Sequence, residues 1–132
     1  RGRIPVIWTP GIPEIFATYD TVYDHTPAIR DMGLLQSAVE RPHATAFGQD
    51  AYPTIHDKAA ALMDSLCRNH ALVDGNKRCA WIAVRLTYYR NHGHYWRSGD
   101  DAAYALVLRA SDQHLDIAAL ADQLRQGFSP NA

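Results

Sequence analysis

Two long helical patterns meet at the stretch His70-Ala71-Leu72-Val73-Asp74-Gly75-Asn76-Lys77-Arg78. Before it, apolar residues recur at helical spacing from Ile55 to Leu66, and the pattern continues to Asn69. After it, a nearly all-apolar run begins at Cys79 and extends to about Asn91. A helix that is hydrophobic nearly all round belongs at the centre of a bundle. The sequence therefore predicts an all-α fold, arranged around the helix that this stretch opens.

Helical spacing of apolar residues predicts about six helices in total. Their expected bounds are Pro10 to about His25, Arg30 to Glu40, Ile55 to Asn69, Gly75 to about Asn91, Asp100 or Asp101 to about Ala110, and Asp116 to Gly127. The segment from His43 to Pro53 contains Gly48 and predicts a loop or a small β-hairpin. A short extended pair is also expected, between Pro5–Trp8 and His94–Trp96. We expect residues 1–132 to form a single domain with a real core.

Composition disfavours several classes of protein. The net charge is −1, and a nucleic-acid-binding protein would usually carry a basic face. Hydrophobic residues make up 47% of the chain and charged residues 20%, which is typical of soluble globular proteins. No apolar run reaches the ~20 residues that cross a bilayer and no signal peptide is apparent, so we expect a cytoplasmic protein without membrane contact. Cys67 and Cys79 lie in apolar helical patterns and are expected to be buried free thiols.

The residue types within positions 70–78 indicate an anion site at the start of a helix. Asp74 occupies the position of an N-cap, and Gly75 gives the backbone room for close approach. The amides of Gly75, Asn76 and Lys77 would then point outward, at the positive end of the helix dipole. Lys77 and Arg78 lie at the end of the helix where the dipole disfavours cations. Their position indicates a bound polyanion that would offset this repulsion. The alternative is a plain helix–helix turn with an Asp-Gly cap and exposed charges.

The same stretch resembles the signature loop of the Fic/Doc superfamily, which reads H-P-F-x-D/E-G-N-G-R-x-x-R. It is closer to the Doc (death-on-curing) branch, in which Lys replaces the Gly after Asn and the last Arg is missing. Lys77 and Trp81 match both of these differences. Leu72 stands where the family has Phe, a change that concerns packing beneath the loop more than chemistry.

A second block of sequence supports the resemblance. Residues 30–38 read Arg-Asp-Met-Gly-Leu-Leu-Gln-Ser-Ala and precede Arg41-Pro42, similar to the R-D-x-G-L-L-x-S-A-x-x-R-P segment of Doc-like proteins. Tyr52-Pro53 and the Arg68-x-His70 pairing also resemble the family. The resemblance covers roughly Pro5 to Arg125. It implies a Fic/Doc-type bundle of about six helices around a central apolar helix, with a small β-hairpin flap.

The resemblance implies roles in phosphoryl transfer for several residues in and beside the loop. His70 would be the general base on an incoming hydroxyl, because neutral imidazole accepts a proton near physiological pH. Asp74 would hold Mg²⁺ together with the phosphates of ATP. Asn76, the second catalytic residue, would orient the phosphoryl group. Phosphate contacts are expected from Gly75, Lys77, Arg78 and, as a weaker candidate, Arg68.

Several of these assignments have a plainer alternative. His70 at a helix end could instead hydrogen-bond the helix C-terminus. Asp74 could be a pure N-cap, although capping with one oxygen does not exclude metal binding with the other. Arg68 is as well explained as a solvated surface residue. His92-x-His94 has metal-like spacing, but the sequence places no third ligand, so surface imidazoles are favoured.

A flap is the remaining element that the resemblance implies for the site. Phe47, Gly48 and Tyr52 belong to a segment that precedes the motif helix and, in the family, overhangs the cleft. We expect this segment to align the backbone of a protein target beside His70, through edge-strand pairing.

Three classes of function follow. The first is a Doc-like toxin of a type II toxin–antitoxin system, a protein Ser/Thr kinase that uses ATP and Mg²⁺. It would phosphorylate a hydroxyl of a translation factor, with elongation factor Tu as the family's best-known target, and so arrest translation. The second is a Fic-type transferase of AMP or UMP, disfavoured because Lys77 fills the space where such loops carry Gly. The third is a catalytically silent binding module, disfavoured because every charged motif position is intact.

An inhibitor on a separate chain is also expected. Some Fic proteins carry their own inhibitory S/T-x-x-x-E/D-G/N helix. The only two glutamates here, Glu14 and Glu40, have no Ser or Thr four residues before them. We therefore expect a separate antitoxin protein that inserts a segment near the active-site cleft, and no direct contact with nucleic acid.

Overall fold

Six α-helices and one two-stranded hairpin make up the computed structural model, which describes residues 6–129. The elements are α1 (Ile12–Tyr23), α2 (Met32–Glu40), a 3-10 turn (Arg41–His43), β1 (Thr45–Ala46), β2 (Gln49–Asp50), α3 (Ile55–Arg68), α4 (Asn76–His92), α5 (Asp100–Asp112) and α6 (Ile117–Phe128). The prediction of an all-α fold with about six helices and a small hairpin is therefore confirmed. Across these described residues, no helix has the length and apolar character needed to cross a membrane.

α3 and α4 pair at the centre of the bundle, and their connection carries the predicted site. α3 begins with a capping box, in which the Thr54 hydroxyl accepts from the amide of Asp57 at 3.0 Å. Every residue from Lys58 to Cys67 is buried, because α2, α4, α5 and α6 surround this helix. Burying one large apolar side chain such as Leu62 stabilises the fold by roughly 1.5–3 kcal/mol. The helix that leads into the site is therefore firmly held.

An aromatic cluster joins α4 to the end of α6. Tyr88 stacks on Phe128 with ring centroids 4.0 Å apart, and the Trp96 ring lies edge-on to Phe128 at 5.2 Å. The prediction that Gly127 ends the last helix is wrong, since α6 continues through it to Phe128. Glycine is required there for packing, because an added methyl carbon would lie 1.9 Å from the Trp96 ring.

The first residues of α5 and α6 show one difference from the predicted caps. Gly99 is the N-cap of α5, and not Asp100 or Asp101; both carboxylates lie in the first turn, where the helix dipole favours negative charge. Asp116 caps α6 as predicted, and its side chain accepts from the amide of Ala119 at 2.8 Å.

The expected extended pair near the N-terminus is not formed by the residues that the structure describes. Residues 94–96 have no strand conformation. The Trp8 amide donates to Asn91 Oδ1 at 3.0 Å, and the Trp8 carbonyl accepts from Asn91 Nδ2 at 2.7 Å. One side-chain amide thus satisfies the backbone groups that a neighbouring strand would have paired. Pro5, part of the expected strand, lies outside the described residues.

The flap segment forms the predicted β-hairpin. β1 pairs with β2 in antiparallel register, Thr45 opposite Asp50 and Ala46 opposite Gln49. Phe47 and Gly48 form the two-residue turn, with φ values of 55° and 78°. Positive φ at both central residues is the pattern of a type I′ turn. Glycine adopts it freely, whereas a bulky residue such as Phe47 is strained there.

Both cysteines are buried free thiols, as predicted. Burial raises the pKa of the Cys67 thiol and of the Cys79 thiol to about 12. A thiol that stays protonated is a poor nucleophile and a poor metal ligand. Cys67 and Cys79 therefore serve packing between α3 and α4, and the site has to be sought among other residues.

Candidate active site

The loop of residues 69–75 joins α3 to α4 and presents His70 to solvent. Asn69 is the C-cap of α3, and His70 follows it directly. His70 adopts a left-handed conformation with φ of 49°, uncommon for a residue with a side chain. Leu72 is buried and packs beneath the loop, as the resemblance implies. Such a conformation persists at a residue with a side chain only where the surrounding structure holds it.

A short extended segment, residues 28–31, straps the loop from one side. Two amides of this strap donate to the carbonyl of Ala71, at 2.8 and 3.0 Å. The amide of Val73 donates to the carbonyl of Ala28 at 2.9 Å, and the pairing forms an antiparallel bridge at Leu72. The second sequence block thus begins in direct contact with the loop. Backbone hydrogen bonds hold the strap against the loop.

Asn76 closes the loop through its side-chain amide. Its Oδ1 accepts from the amide of Leu72 and its Nδ2 donates to the carbonyl of Leu72, each at 3.1 Å. Both polar atoms therefore hold the backbone of the loop in place. The expected contact between Asn76 and a phosphoryl group stays a prediction.

Asp74 is not the N-cap of α4, contrary to the prediction. Gly75 occupies that position with φ of 89°, and no side chain within residues 6–129 caps the helix. One oxygen of the exposed Asp74 carboxylate accepts from the amide of Gly75 at 2.9 Å, so this amide is not free for an anion. The left-handed glycine turns the chain one residue later than an aspartate cap would. Asp74 therefore lies just outside the helix.

Packing, as well as backbone conformation, requires glycine at position 75. A methyl group added there would lie 2.8 Å from the Tyr19 hydroxyl oxygen, well inside van der Waals contact. Tyr19 is itself only 1% exposed and fixes α1 against the start of α4. Gly75 is expected from the sequence to let a ligand approach the backbone closely. In the structure, the Tyr19 side chain occupies that space.

Two exposed cations stand on the first turn of α4. Arg78 donates to the Tyr19 hydroxyl at 3.4 Å, and its guanidinium carbon lies 4.5 Å from the centre of the Tyr23 ring. The hydrogen bond with Tyr19 raises the pKa of Arg78. Among the described residues, no carboxylate lies within ion-pair distance of Lys77 or Arg78. Unneutralised cations at the positive end of a helix favour an anionic ligand.

Arg68 belongs to an ion network, which speaks against the alternative of a freely solvated side chain. Its Nε donates to Asp64 at 2.7 Å, and Arg41 donates to the other Asp64 oxygen at 2.6 Å. Arg41 also donates from Nε to the Tyr52 hydroxyl at 3.1 Å. Asp64 is 4% exposed, and such a buried charge is tolerated only with partners of this kind. The network connects the end of α3 to the base of the flap.

The flap has a fixed base and a bare tip. Lys58 is 4% exposed, donates to the carbonyl of Pro42 at 3.0 Å and lies 3.5 Å from the Asp50 carboxylate. Phe47, at the tip, is fully exposed. The hairpin therefore presents an aromatic ring from an anchored position. That it aligns a target beside His70 stays a prediction.

An apolar cleft of about 700 Å³ opens beside the first turn of α4. Side chains of α1, α4 and α5 line it, among them Lys77, Arg78, Tyr23, Trp81, Tyr89 and Tyr104. Tyr89 is 53% exposed here, although its sequence pattern predicts a core residue. The cleft is not predictable from local sequence, because its tyrosines come from separate helices. The two cations at the rim of the cleft, Lys77 and Arg78, follow the loop directly in sequence.

Asp74 is the carboxylate at this site that is predicted to bind a metal ion. Within residues 6–129, no group of three His, Cys, Asp or Glu side chains is arranged to hold a metal ion. The His92 and His94 rings lie 5.3 Å apart without a third ligand. Mg²⁺ is often bound by one or two carboxylates, with waters and substrate phosphates as the other ligands. An exposed carboxylate beside two cations fits that mode.

Sequence reasoning does not identify three residues that contact the site. Tyr19 and Tyr23 recur at helical spacing and are read simply as the inner face of α1. Arg30 is part of the second sequence block, but its guanidinium donates to the carbonyl of His70 at 3.2 Å, across forty residues of chain. Contacts over such separations leave no local signal.

Comparison with known proteins identifies relatives of this chain. The profile described as the Fic/DOC family matches residues 12–88, more than half of the sequence. A protein described as Toxin Doc, from Mycolicibacterium smegmatis (strain ATCC 700084 / mc(2)155), is 47% identical over 105 residues. That match covers 79% of this chain and 80% of the relative. The family match includes the strap, the flap and the loop.

Proposed function

Because the chain belongs to the Fic/DOC family, we propose that it is the toxin of a type II toxin–antitoxin system and a protein kinase. It transfers the γ-phosphoryl group of ATP to a hydroxyl of a translation factor in the cytoplasm, with elongation factor Tu as the proposed target, and so arrests translation. The toxin role is supported by the name of the mycobacterial relative. Transfer chemistry is supported by one observation above others: His70 and Asp74 are exposed on one fixed loop, and two unneutralised cations are exposed on the first turn of the helix that follows it.

In the proposed reaction, His70 takes the proton of the target hydroxyl. The hydroxyl oxygen forms a bond to the γ-phosphorus, the bond from that phosphorus to the bridging oxygen breaks, and ADP leaves with the electron pair. Lys77 and Arg78 neutralise charge on the phosphate chain. Tyr19 and Tyr23 already orient the Arg78 guanidinium, which lowers the entropy lost when it binds a phosphate.

Asp74 would hold Mg²⁺ through the carboxylate oxygen that does not bind the amide of Gly75. When bound, the ion neutralises phosphate charge and aligns the chain for transfer. Arg68 keeps N–H groups beyond the Nε that binds Asp64, which leaves it donors for a phosphate oxygen. Asn76 would act on the phosphoryl group indirectly, because its side chain keeps the loop closed.

The kinase assignment is favoured over transfer of AMP or UMP by two positions on α4. Lys77 has a long side chain where AMP-transferring loops carry Gly. Trp81 stands where those loops carry a second Arg, and its ring packs against Trp96 at 5.2 Å. It lines the cleft and supplies no cation for an α-phosphate.

Labelled ATP tests the reaction class. The protein is incubated with elongation factor Tu, or with cell extract, in the presence of Mg²⁺ and ATP labelled at either the γ- or the α-phosphate. We expect protein-bound label from γ-labelled ATP alone. Label from α-labelled ATP would contradict the kinase proposal and favour the nucleotidyltransferase. A folded protein that transfers neither label would favour the silent binding module.

Removal of the histidine tests its role as the base. His70→Ala should lower the rate of transfer by about 10²–10⁴-fold, the usual contribution of a general base. His114→Ala is a matched control, because His114 is also exposed and left-handed, with φ of 51°. Full transfer in a folded His70→Ala variant would end the assignment.

We propose that the antitoxin inserts a helical segment into the cleft of about 700 Å³. Tyr89, Tyr95 and Tyr104 are 53%, 63% and 68% exposed there, and grouped apolar surface of this kind is typical of an interaction site. The rim cations Lys77 and Arg78 fit an acidic residue on such a segment. Tyr104→Asp should reduce capture of the antitoxin encoded beside the gene.

Val6→Asp provides the control for this experiment. Val6 is 91% exposed and lies outside the cleft lining, so the same charge there should leave antitoxin capture unchanged. Capture that is unaffected by Tyr104→Asp would place the antitoxin elsewhere on the protein.

A further inference from the structure

We infer that Arg30 is a positioning residue that holds the backbone, and through it the imidazole, of His70. The inference rests on the proposed function, in which His70 is the base. Arg30 lies in the strap, directly before the residue that caps α2. It is exposed, and its Nη1 donates to the carbonyl oxygen of His70 at 3.2 Å.

The conformation of His70 explains why its carbonyl needs a partner. With φ of 49°, it occupies a left-handed region that a residue with a side chain keeps only when its surroundings hold it there. On its C-terminal side, the carbonyl of Ala71 accepts two strap amides. Among residues 6–129, the Arg30 guanidinium is the hydrogen-bond partner of the His70 carbonyl itself. A bond from a charged donor is stronger than one between neutral groups.

The N-terminal side of His70 is held from the same block of sequence. The side-chain Nδ2 of Asn69 donates to the carbonyl of Leu34 in α2 at 3.1 Å. The Asp31 side chain caps α2 by accepting from the amide of Leu34 at 3.0 Å, and so keeps that turn in place. Residues on both sides of His70 are thus fixed by the strap and the first turn of α2. Arg30 supplies the contact at His70.

Catalysis by a general base depends strongly on this placement. A misplacement of 1 Å at a reacting group costs up to about 100-fold in rate. The direction of the His70 carbonyl is coupled to the backbone torsions that also direct its Cα–Cβ bond. Loss of the Arg30 contact should therefore lower turnover and leave binding of ATP unchanged.

Two substitutions test the inference. Arg30→Met keeps an unbranched apolar stem and removes every donor, whereas Arg30→Lys keeps a charged donor. We expect Arg30→Met to lower kcat between about 10-fold and about 100-fold with an unchanged KM for ATP. Arg30→Lys should recover most of the loss. Arg90→Met is the matched control, because Arg90 is an exposed arginine stacked over the Trp8 ring at 4.7 Å.

A measurement that needs no activity accompanies the kinetics. The ¹⁵N order parameters of His70 and Ala71 should fall in Arg30→Met and remain near the wild-type values in Arg30→Lys. An unchanged kcat in a folded Arg30→Met variant would overturn the inference. The inference would also be overturned if Arg30→Lys did not recover kcat and a matching fall in Tm explained the loss.

Failure of the inference and failure of the proposed function give different results. If His70→Ala is inactive and Arg30→Met is fully active, the inference alone is wrong. If His70→Ala is fully active, the proposed base is wrong and the positioning role is overturned with it, whatever the order parameters show.

Discussion

Asp74 and Gly75 precede α4, and neither side chain caps the helix. The carboxylate accepts from the amide of Gly75, and the glycine turns the chain in the left-handed conformation. A neutral amide oxygen can accept the same hydrogen bond, whereas a carboxylate is the much better ligand of Mg²⁺. One substitution therefore separates the structural task of Asp74 from the proposed metal site.

Asp74→Asn should weaken the Mg²⁺-dependent part of ATP binding and change stability little, by less than about 1 kcal/mol. Calorimetric titration with ATP, in the presence of Mg²⁺ or of EDTA, measures the first effect, and thermal unfolding measures the second. Asp116→Asn alters a true cap on α6 and should leave ATP binding unchanged. If Asp74→Asn binds MgATP as the wild type does, the carboxylate does not bind the metal and serves only to accept the hydrogen bond from Gly75.

Gly75 and Gly93 form a natural pair for measuring what the Tyr19 contact contributes. Both are left-handed, with φ of 89° and 68°, but an added methyl group meets Tyr19 only at Gly75 and has no atom within 4 Å at Gly93. Gly93→Ala should cost about 1–2 kcal/mol for the backbone. Gly75→Ala should cost roughly 1–3 kcal/mol more, from overpacking. Urea unfolding measures both, and equal losses would mean that Tyr19 moves aside freely.

The flap is an element whose two ends have opposite properties. Its base is bound to the helices, through Lys58 beneath Asp50 and through Arg41 between Tyr52 and Asp64. Its tip places a fully exposed phenylalanine in a strained turn. Strain that the fold does not need, at an exposed aromatic residue, indicates a binding role. The stability and the function of the tip should therefore respond in opposite directions to one substitution.

Phe47→Asn tests this expectation for the flap. Asn-Gly is the preferred pair in a type I′ turn, so the variant should be as stable as the wild type or more stable. Phosphorylation of the protein target should fall, because the aromatic anchor is lost, and binding of ATP should be unchanged. Undiminished target modification in Phe47→Asn would remove the tip from target recognition.

The elements themselves follow from local sequence, since apolar periodicity predicts all six helices and the Gly48 segment predicts the hairpin. Local reasoning also places the loop correctly, because its polar residues interrupt that periodicity. It fails where one contact outweighs a local preference. Asp74 has the chemistry of a cap, but the left-handed Gly75 displaces it. The expected strand pair is absent from residues 6–129, because the Asn91 side chain satisfies the backbone of Trp8.

The composition of the site is harder to predict than its location. The loop identifies His70 and the two cations, but not the residues that hold them. Arg30 and Tyr19 reach the loop from positions far away in sequence, and only the packing of the whole bundle brings them there. The cleft has the same origin, because α1, α4 and α5 contribute to it.

At the scale of the whole molecule, a half-buried histidine between two packed helices should make stability depend on pH. Burial lowers the pKa of His56, at the start of α3, and that of His43. The Nδ1 atom of His56 lies 2.7 Å from the hydroxyl of Tyr88 on α4. Burial raises the pKa of Tyr88, so the hydroxyl keeps its proton and donates it, and the neutral imidazole accepts. Protonation of His56 removes this acceptor and puts a charge between the two central helices.

The sign of the effect follows from the direction of these shifts. The unfolded chain takes up protons near the ordinary histidine pKa of about 6.5, whereas the folded chain does so only at lower pH. Stability should therefore be constant above that value and fall as pH decreases below about 6.5. His56→Gln keeps an acceptor for Tyr88 and does not titrate, so its Tm should fall less over this range, with a residual slope from His43.

Thermal unfolding at a series of pH values, with His114→Gln as the exposed control, measures the difference. If His56→Gln loses stability as steeply as the wild type, the acid sensitivity arises outside the contact between α3 and α4.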